Sequence, residues 1–435
     1  SVLKDASAVA PYGLKGANGV ILITTKRGAA GTFSLSYNGE SSWQKPMNTP
    51  QFMGSADYFE FRNKAYEMDG LTDQMMPAEE IALYRNGADP DRYPNTDWVK
   101  NYMDTSMATT QNVTITGGSE KIRAYASLGY VSQGSMFDGQ DYKRYTFRGN
   151  VDIQATATTK VSIDNSFMKD ILSRDGLGAD QIMERIYRAV PEEVDRYSNG
   201  LSGFQSSLGI SLYEAMHNRG SYKETNDIST YGISVEQQFP FLKGLSGKAA
   251  FNYDKQHKDA KDWILPLVYY NLTPEGEYEK VDQSTTVKPS LSQEYKRWDW
   301  YTFNGSLSYT NDFGRHHIDG LALFEARWTD YMVTNTGKSE SDFLIPELNT
   351  GTTDRTKWTL GGTSSQERQY GVVGRINYNF SQKYLLELAG RYDGSYKYAP
   401  SKRTAFFPSV SVGWRISEEP FMNFSRNIVD NLKLR

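Results

Sequence analysis

The chain has 435 residues, no cysteine, 48 basic against 52 acidic side chains and a formal net charge of −4. That balance offers no basic face for nucleic acid, and the missing thiols exclude disulfides and thiolate metal centres. Mean hydropathy is −0.62, and no apolar run approaches the ~18 residues of a membrane-spanning helix or forms an N-terminal signal.

The first elements are SVLKDASAVAPYGLKGANGVILITTKRG, residues 1–28. Gly13, Gly16 and Gly19 recur at every third position like a phosphate loop, but the order is wrong for one. A phosphate-binding loop follows a strand and opens a helix, because the helix N-terminus holds the anion. Here Asp5 caps a short alanine-rich turn, Pro11 and Gly13 end it, and the glycines lead into a β-branched strand over Val20–Thr25. The glycines therefore mark close backbone packing.

From residue 32 onward the dominant signal is alternation of period two, the mark of strands with one apolar and one polar face. It runs through TFSLSYN (32–38), 111–116, IRAYASLGY (122–130), YTFRGNVDI (145–153), VSIDNSF (161–167) and YGISVEQQF (231–239). It continues at 246–254, YTFNGSLSY (301–309), 316–328, YGVVGRINYNF (370–380), YLLELAGRY (384–392) and FFPSVSVGWRI (406–416). About twelve strands result, longer than the five or six residues usual in soluble sheets. Helices are expected near 55–68 and 77–86, inside the first long excursion.

The connections sort by length. Long ones at 44–108, 132–142, 168–227, 259–295 and 331–367 alternate with short turns at 117–121, 156–160, 240–244, 311–316 and 379–383. A soluble sandwich has no reason for this parity, whereas an outer-membrane barrel has short periplasmic turns and long extracellular loops. Aromatic pairs also recur eight residues apart: Tyr301 and Tyr309, Tyr370 and Tyr378, Tyr384 and Tyr392, Phe406 and Trp414. Eight residues span about 27 Å of strand, or about 20 Å of height at a ~40° tilt, close to the ~25 Å band between aromatic girdles. The opposite faces carry Ser, Thr, Asn, Asp, Glu and Arg, which suit a wide wet lumen. The expected fold class is all-β: a transmembrane antiparallel β-barrel.

At this point the residues resemble a known family. Residues 2–28, NTDW (95–98), residues 116–152, residues 370–422 and NLKLR (431–435) are similar, in order, to segments of the SusC/RagA-family TonB-dependent transporters of Bacteroidota. Pro11 and Leu14-Lys15 depart from the commoner family residues. The resemblance implies that residues 1–28 are the C-terminal end of a plug domain, with Val20–Thr25 its last strand. Residues 29–31 are then a hinge, flanked by Gly28 and Gly31, and 32–435 the N-terminal half of a 22-stranded barrel. It also implies that the chain is a partial one, with NLKLR opening the next strand; a half barrel leaves edges unpaired in lipid and is not expected to insert or transport alone.

The function implied is TonB-dependent import of a large nutrient, foremost an oligosaccharide, with oligopeptide import the alternative. The partners implied are the TonB–ExbB–ExbD complex, a SusD-like lipoprotein and outer-membrane lipid; no nucleic acid and no cofactor are expected, with calcium on the extracellular loops or the partner as the alternative. Trp263, Trp298, Trp300 and Trp358 are the candidate substrate-stacking rings, against the plainer reading that they belong to the aromatic girdle or anchor loops. A glycoside hydrolase would need two facing carboxylates, for which Glu294 and Asp299 are only two of 52 acids. His316-His317 lies in a short turn without metal-ligand spacing, and a surface sugar-binding β protein fits the aromatics but not the loop parity. No catalytic and no metal residue is assigned.

Overall fold

A computed structural model describes residues 2–3, 18–31, 33–341, 343–425 and 428–435. Two short strands, β1 (Val2–Leu3) and β2 (Val20–Ile21), pair with each other near the start. The strand expected over 20–25 is regular only at 20–21, and residues 22–31 carry no strand or helix. Gly13, Gly16 and the Asp5–Ala10 turn lie outside the described residues.

The body is one antiparallel sheet. It begins with β3 (Ser34–Gln44), β4 (Ser106–Gly118), β5 (Ile122–Gly134), β6 (Gln140–Gln154), β7 (Thr159–Asp175), β8 (Gly220–Gln238) and β9 (Leu245–Ile264). A small hairpin, β10 (Val268–Leu272) with β11 (Tyr278–Asp282), stands outside it. The sheet then resumes with β12 (Ser290–Phe313), β13 (His316–Lys338), β14 (Trp358–Phe380), β15 (Tyr384–Ser395), β16 (Thr404–Arg415) and β17 (Lys433–Leu434). Every strand pairs with its predecessor in the sheet, giving thirteen strands in simple meander order. The twelve strands legible in the sequence are all present, and the thirteenth forms within NLKLR.

One face of this sheet is a band of exposed apolar side chains. On β15 it reads Tyr384, Leu386, Leu388, Gly390, Tyr392, and on β16 Phe406, Pro408, Val410, Val412, Trp414. Tyr384 pairs in register with Trp414, and Tyr392 with Phe406. The eight-residue aromatic spacing thus becomes two rows, one at each rim of the band. Toward the long-loop rim Tyr231, Tyr253 and Tyr301 stack side by side, with centroids 6.0 and 4.8 Å apart. Just past that row the same face turns polar, beginning at Asp299, which accepts a 2.7 Å hydrogen bond from Tyr253. Strand β12 therefore runs well beyond the apolar band.

Most turns are tighter and the long loops shorter than sequence alternation suggests, because the strands extend past the band; the turn between β8 and β9, at 239–244, is the exception. The connection expected over 132–142 is only 135–139, and the long ones become 45–105, 176–219, 265–289 and 339–357. At the other rim the turn between β12 and β13 shrinks to Gly314-Arg315, with Gly314 at φ +64. The last connection at that rim, 416–432, breaks the length parity. It is folded back by Glu419, which accepts hydrogen bonds from Tyr384 Oη (2.7 Å), Trp414 Nε1 (3.1 Å) and Lys383 Nζ (3.1 Å); those donors hold its carboxyl below the usual range.

The three longest loops pack into one cap. The first carries α1 (Ser55–Met68), α2 (Ala78–Asn86) and α3 (Trp98–Tyr102), the third carries α4 (Ala179–Arg188) and α5 (Leu212–His217), and the fourth is the β10–β11 hairpin. Ile182 and Ile186 lie one turn apart on α4, as do Leu212 and Met216 on α5; all four are buried with Trp98, Tyr102, Leu177, Leu267 and Tyr269. Such i, i+4 pairs share one helix face, so even short helices can seal a core. Trp98 Nε1 donates to Val190 O (3.0 Å), Thr96 Oγ1 donates to Glu193 O (2.7 Å), and Arg62 meets Glu192 at 3.3 Å. Tyr102 donates its hydroxyl to Asp195, and burial pushes the Asp195 carboxyl upward.

Two predictions follow from this geometry. A raised folded-state pKa favours the protonated carboxyl, so its contribution to the cap is full at low pH and is lost as pH rises through the raised value. Protection of the 176–219 amides in the whole receptor, taken as the intrinsic exchange rate at the same pH divided by the observed rate, should therefore be higher at pH 5 than at pH 7.5, and Asp195→Asn should flatten that difference. In the β14–β15 turn, Ser381 and Gln382 both sit in the left-handed region, at φ +54 and +58. Replacing them with Asn-Gly should raise thermal stability by about 1–2 kcal/mol, since L-residues pay roughly that much there. An unchanged melting temperature would contradict it.

Candidate functional site: the luminal wall

The face opposite the apolar band is defined by what lies against it. Asn150, Asp152 and Asp164 alternate out of phase with the band residues Val151, Ile153 and Ile163, so they project from the other side. There Arg27 meets Asp164 at 2.6 Å and Asp152 at 3.4 Å, and Asn150 Nδ2 donates to Lys26 O at 2.9 Å. Gly28 follows directly. A Cβ on it would lie 2.5 Å from the backbone N and O of Ala124, so only glycine fits against β5. Gly31, at φ +83, then donates its N–H to Gly118 O at 3.0 Å. The lumen is the side that residues 26–28 occupy. Gly19 sits at φ +91, ahead of Val20 in β2.

Strand parity decides where the tryptophans point. Tyr301 faces the apolar band, so Trp300 and Trp298 face the lumen. Their rings are nearly coplanar in orientation, 4° apart with centroids at 6.3 Å, and Trp298 leans on Tyr331 at 5.0 Å. Trp298 pairs with Tyr331 and Trp300 with Thr329, which puts the rings near the long-loop end of β12 and β13. Both are partly buried and leave ring surface open. The girdle reading therefore does not describe these two. Trp263 is different: only 6% exposed, it is enclosed at the end of β9 beside Leu291. Trp358 opens β14, donates Nε1 to Thr352 O at 2.8 Å and lies under Lys338 Nζ at 4.6 Å, which fixes the adjoining loop.

Below the tryptophans lies a group that alternation alone could have flagged. Phe324, Trp328 and Tyr392 face the band, so Glu325, Arg327, Arg391 and Asp393 face the lumen. Arg327 Nη2 meets Glu325 at 2.8 Å, Arg391 Nε meets Asp393 at 2.6 Å, and Arg391 Nη2 reaches Glu325 at 3.4 Å. Gly371 lies between them in register, opposite Glu325 on one side and Asp393 on the other. Its φ is not in the left-handed region, so glycine is there for space: a Cβ would sit 2.4 Å from Arg391 Nη2 and 2.6 Å from Asp393 Oδ1.

The other candidates separate. Glu294 pairs with Lys296 at 2.5 Å on the luminal face, while Asp299 is held by Arg297 at 3.0 Å on the opposite face. Two carboxylates on opposite faces of a strand cannot flank a glycosidic bond. His316 bonds Tyr378 at 2.6 Å and His317 bonds Asp312 at 2.8 Å, each committed to a different partner. Among the described residues no cluster of three or more His, Asp or Glu could hold a metal.

Three comparisons place this architecture. No family model matches the chain. TonB-dependent receptor P26 of Formosa agariphila is 26% identical over 468 aligned residues, covering all of this chain and 42% of that protein. TonB-dependent receptor SusC of Bacteroides thetaiotaomicron is likewise 26% identical across the whole chain, again over 42% of its own length. The chain thus spans about two fifths of the length of the curated relatives it matches. Among solved structures, the RagAB peptide importer in its closed-closed state superposes with a TM-score of 0.78 at 20% identity, covering 97% of this chain and 49% of that one. That likeness is one of fold: the thirteen-strand sheet superposes on about half of that importer's chain.

The contact at Gly28 yields a direct test. Gly28→Val should push residues 26–28 off β5 and β6 at a cost of about 1–3 kcal/mol, the usual scale of overpacking. In the whole receptor this would appear as faster proteolysis around residues 18–31 with the barrel unaffected, and unchanged cleavage would refute the contact.

Proposed function

We propose, for a chain that belongs to the SusC/RagA family of TonB-dependent receptors, that the whole protein imports an oligosaccharide across the outer membrane. Residues 1–28 would end its plug, 29–31 would be the hinge, and 32–435 would supply the first part of the barrel wall. TonB with ExbB–ExbD would energise the plug, and a SusD-like lipoprotein would cover the extracellular mouth. The observation that carries the substrate reading is the Trp298–Trp300 pair, two parallel rings on the luminal wall with Tyr331 behind them. Flat apolar rings with polar neighbours suit the faces of sugar rings, which present C–H groups axially and hydroxyls at the rim.

Oligopeptide import is the second reading. It is favoured by the fold's likeness to a peptide importer and by guanidinium and carboxylate groups along the same wall. The charges are mutually paired, which leaves the aromatic rings as the more available surface and keeps the sugar reading first.

Calorimetry on the whole receptor with its lipoprotein separates the two. Saturable binding of a neutral oligosaccharide is expected, weakened about 5–10-fold by Trp300→Ala, the scale of one aromatic contact. Binding of peptides alone, indifferent to Trp300→Ala, would move the function to peptide uptake.

A further inference from the structure

Strand parity places an open carboxylate beside the Trp298–Trp300 shelf. Trp300 pairs in register with Asp254 on β9, and Asp254 in turn with Thr230 on β8. Tyr253 and Tyr231 face the apolar band, so Asp254 and Thr230 face the lumen. On the same row Trp300 pairs with Thr329 on β13, and Thr230 with Ser166 on β7. Ser166, Thr230, Asp254, Trp300 and Thr329 thus form one rung across the neighbouring strands β7, β8, β9, β12 and β13. With strands about 4.8 Å apart, the rung covers about 19 Å of the luminal wall, longer than any single sugar ring. All five residues are partly exposed. Among the described residues the four polar side chains make no hydrogen bond or ion pair.

The charges around the rung are engaged elsewhere. Further along the same face, Lys258 holds Glu224 at 2.9 Å, Lys296 holds Glu294 at 2.5 Å and Arg327 holds Glu325 at 2.8 Å. Lys255 and Arg297 project from the opposite face of their strands. At one end the row continues to Glu367 on β14, which is held by Tyr396 at 2.9 Å and Lys397 at 3.5 Å. At the other end it reaches Arg148 on β6, an exposed cation three strand spacings, or about 14 Å, from Asp254. No cation lies next to Asp254 on the rung.

A carboxylate only accepts hydrogen bonds, so whatever docks on Asp254 must donate, and an anionic group is repelled. The ring beside it takes a flat apolar face. In-register side chains stand about 5 Å apart, so one ligand unit can touch both. A sugar unit meets both demands, with its C–H face on Trp300 and a rim hydroxyl donating to Asp254. Thr230 and Ser166 on one side and Thr329 on the other continue the wall with hydroxyls, which donate and accept alike.

We infer that this rung is a track on which an uncharged oligosaccharide lies across the strands, the unit on Trp300 being read through a hydroxyl by Asp254 and acidic sugars being excluded there. This rests on the import reading above and adds to it the charge class of the substrate and the direction in which it lies.

The test is calorimetry on the whole receptor with its lipoprotein, and the probes are maltohexaose, cellohexaose, mannohexaose, xylohexaose and hexagalacturonate. Asp254→Ala should weaken the preferred neutral hexasaccharide about 10–100-fold, the scale of a hydrogen bond to a charged group. Thr230→Val and Thr329→Val should each cost about 2–10-fold, the scale of a neutral one. Lys255→Ala, one position along β9 and on its other face, should bind as the parent does. Losing Asp254 and Trp300 together should cost less than the product of the single losses, as for two contacts to one sugar unit. Hexagalacturonate should bind the parent more weakly than the neutral probe, and Asp254→Asn should narrow that gap. Affinity for the neutral probe should hold as salt rises from about 0.05 to 0.5 M, because no ligand charge is being screened. Binding by Asp254→Ala equal to the parent's, or hexagalacturonate bound as tightly as the neutral probe, would overturn the track. In those cases a Trp300→Ala defect would still stand for the import reading; failure of every hexasaccharide to bind would sink both.

Discussion

Every peptide group inside a bilayer must find its hydrogen bond within the protein, because hydrocarbon offers none. The thirteen-strand meander answers that demand by pairing each strand with its sequence neighbour, so the ladder leaves the side chains to specialise. One face then meets lipid and the other meets water, and strand parity assigns every residue to one or the other. The aromatic rows, the luminal charges and the tryptophan shelf all follow from that single division. A one-residue slip in β12 would send Trp298 and Trp300 outward and Tyr301 inward.

The strands do not stop where lipid would. β12 and β13 pair over more than twenty residues each, and a span at barrel tilt needs only ~9–11. The excess lifts the luminal wall toward the loop cap and creates a surface above the apolar band on which both faces are polar. Trp298, Trp300 and Tyr331 lie there, above Glu325, Arg327, Arg391 and Asp393. The cap reaches the same height from the other direction, stitched across loops by Trp98, Thr96 and Tyr102. A recognition surface at this level is rigid for the same reason that the barrel is: it rides on a continuous ladder rather than on loop tips.

Much of this was legible beforehand. Alternation from TFSLSYN to FFPSVSVGWRI marked the twelve strands, and the two helices at 55–68 and 77–86 were legible to within a residue of their ends. The helices α4 and α5 were not, because ten and six residues with only Ile182/Ile186 and Leu212/Met216 as apolar pairs give too short a period to stand out from loop sequence. Loop limits also moved, since polar residues continue to pair beyond the apolar band and alternation no longer reveals a strand that is wet on both faces. The relatedness to TonB-dependent receptors came from whole segments, such as 116–152 and 370–422, rather than from any single residue.

By itself the sequence determined the sheet, its meander order and its two faces, because those depend on local alternation and on connections between neighbours. It also carried, unread, the luminal direction of Trp298 and Trp300, which the outward Tyr301 already implies. Tertiary structure decided what lies beside what across strands. It brought Glu325 and Asp393 together over Gly371 although 68 positions separate them (393 − 325). It enclosed Trp263 while leaving Trp300 open, and it laid Arg27 between Asp152 and Asp164. These placements depend on register across three or more strands and on chain segments arriving from far away, and no period in a single strand encodes them.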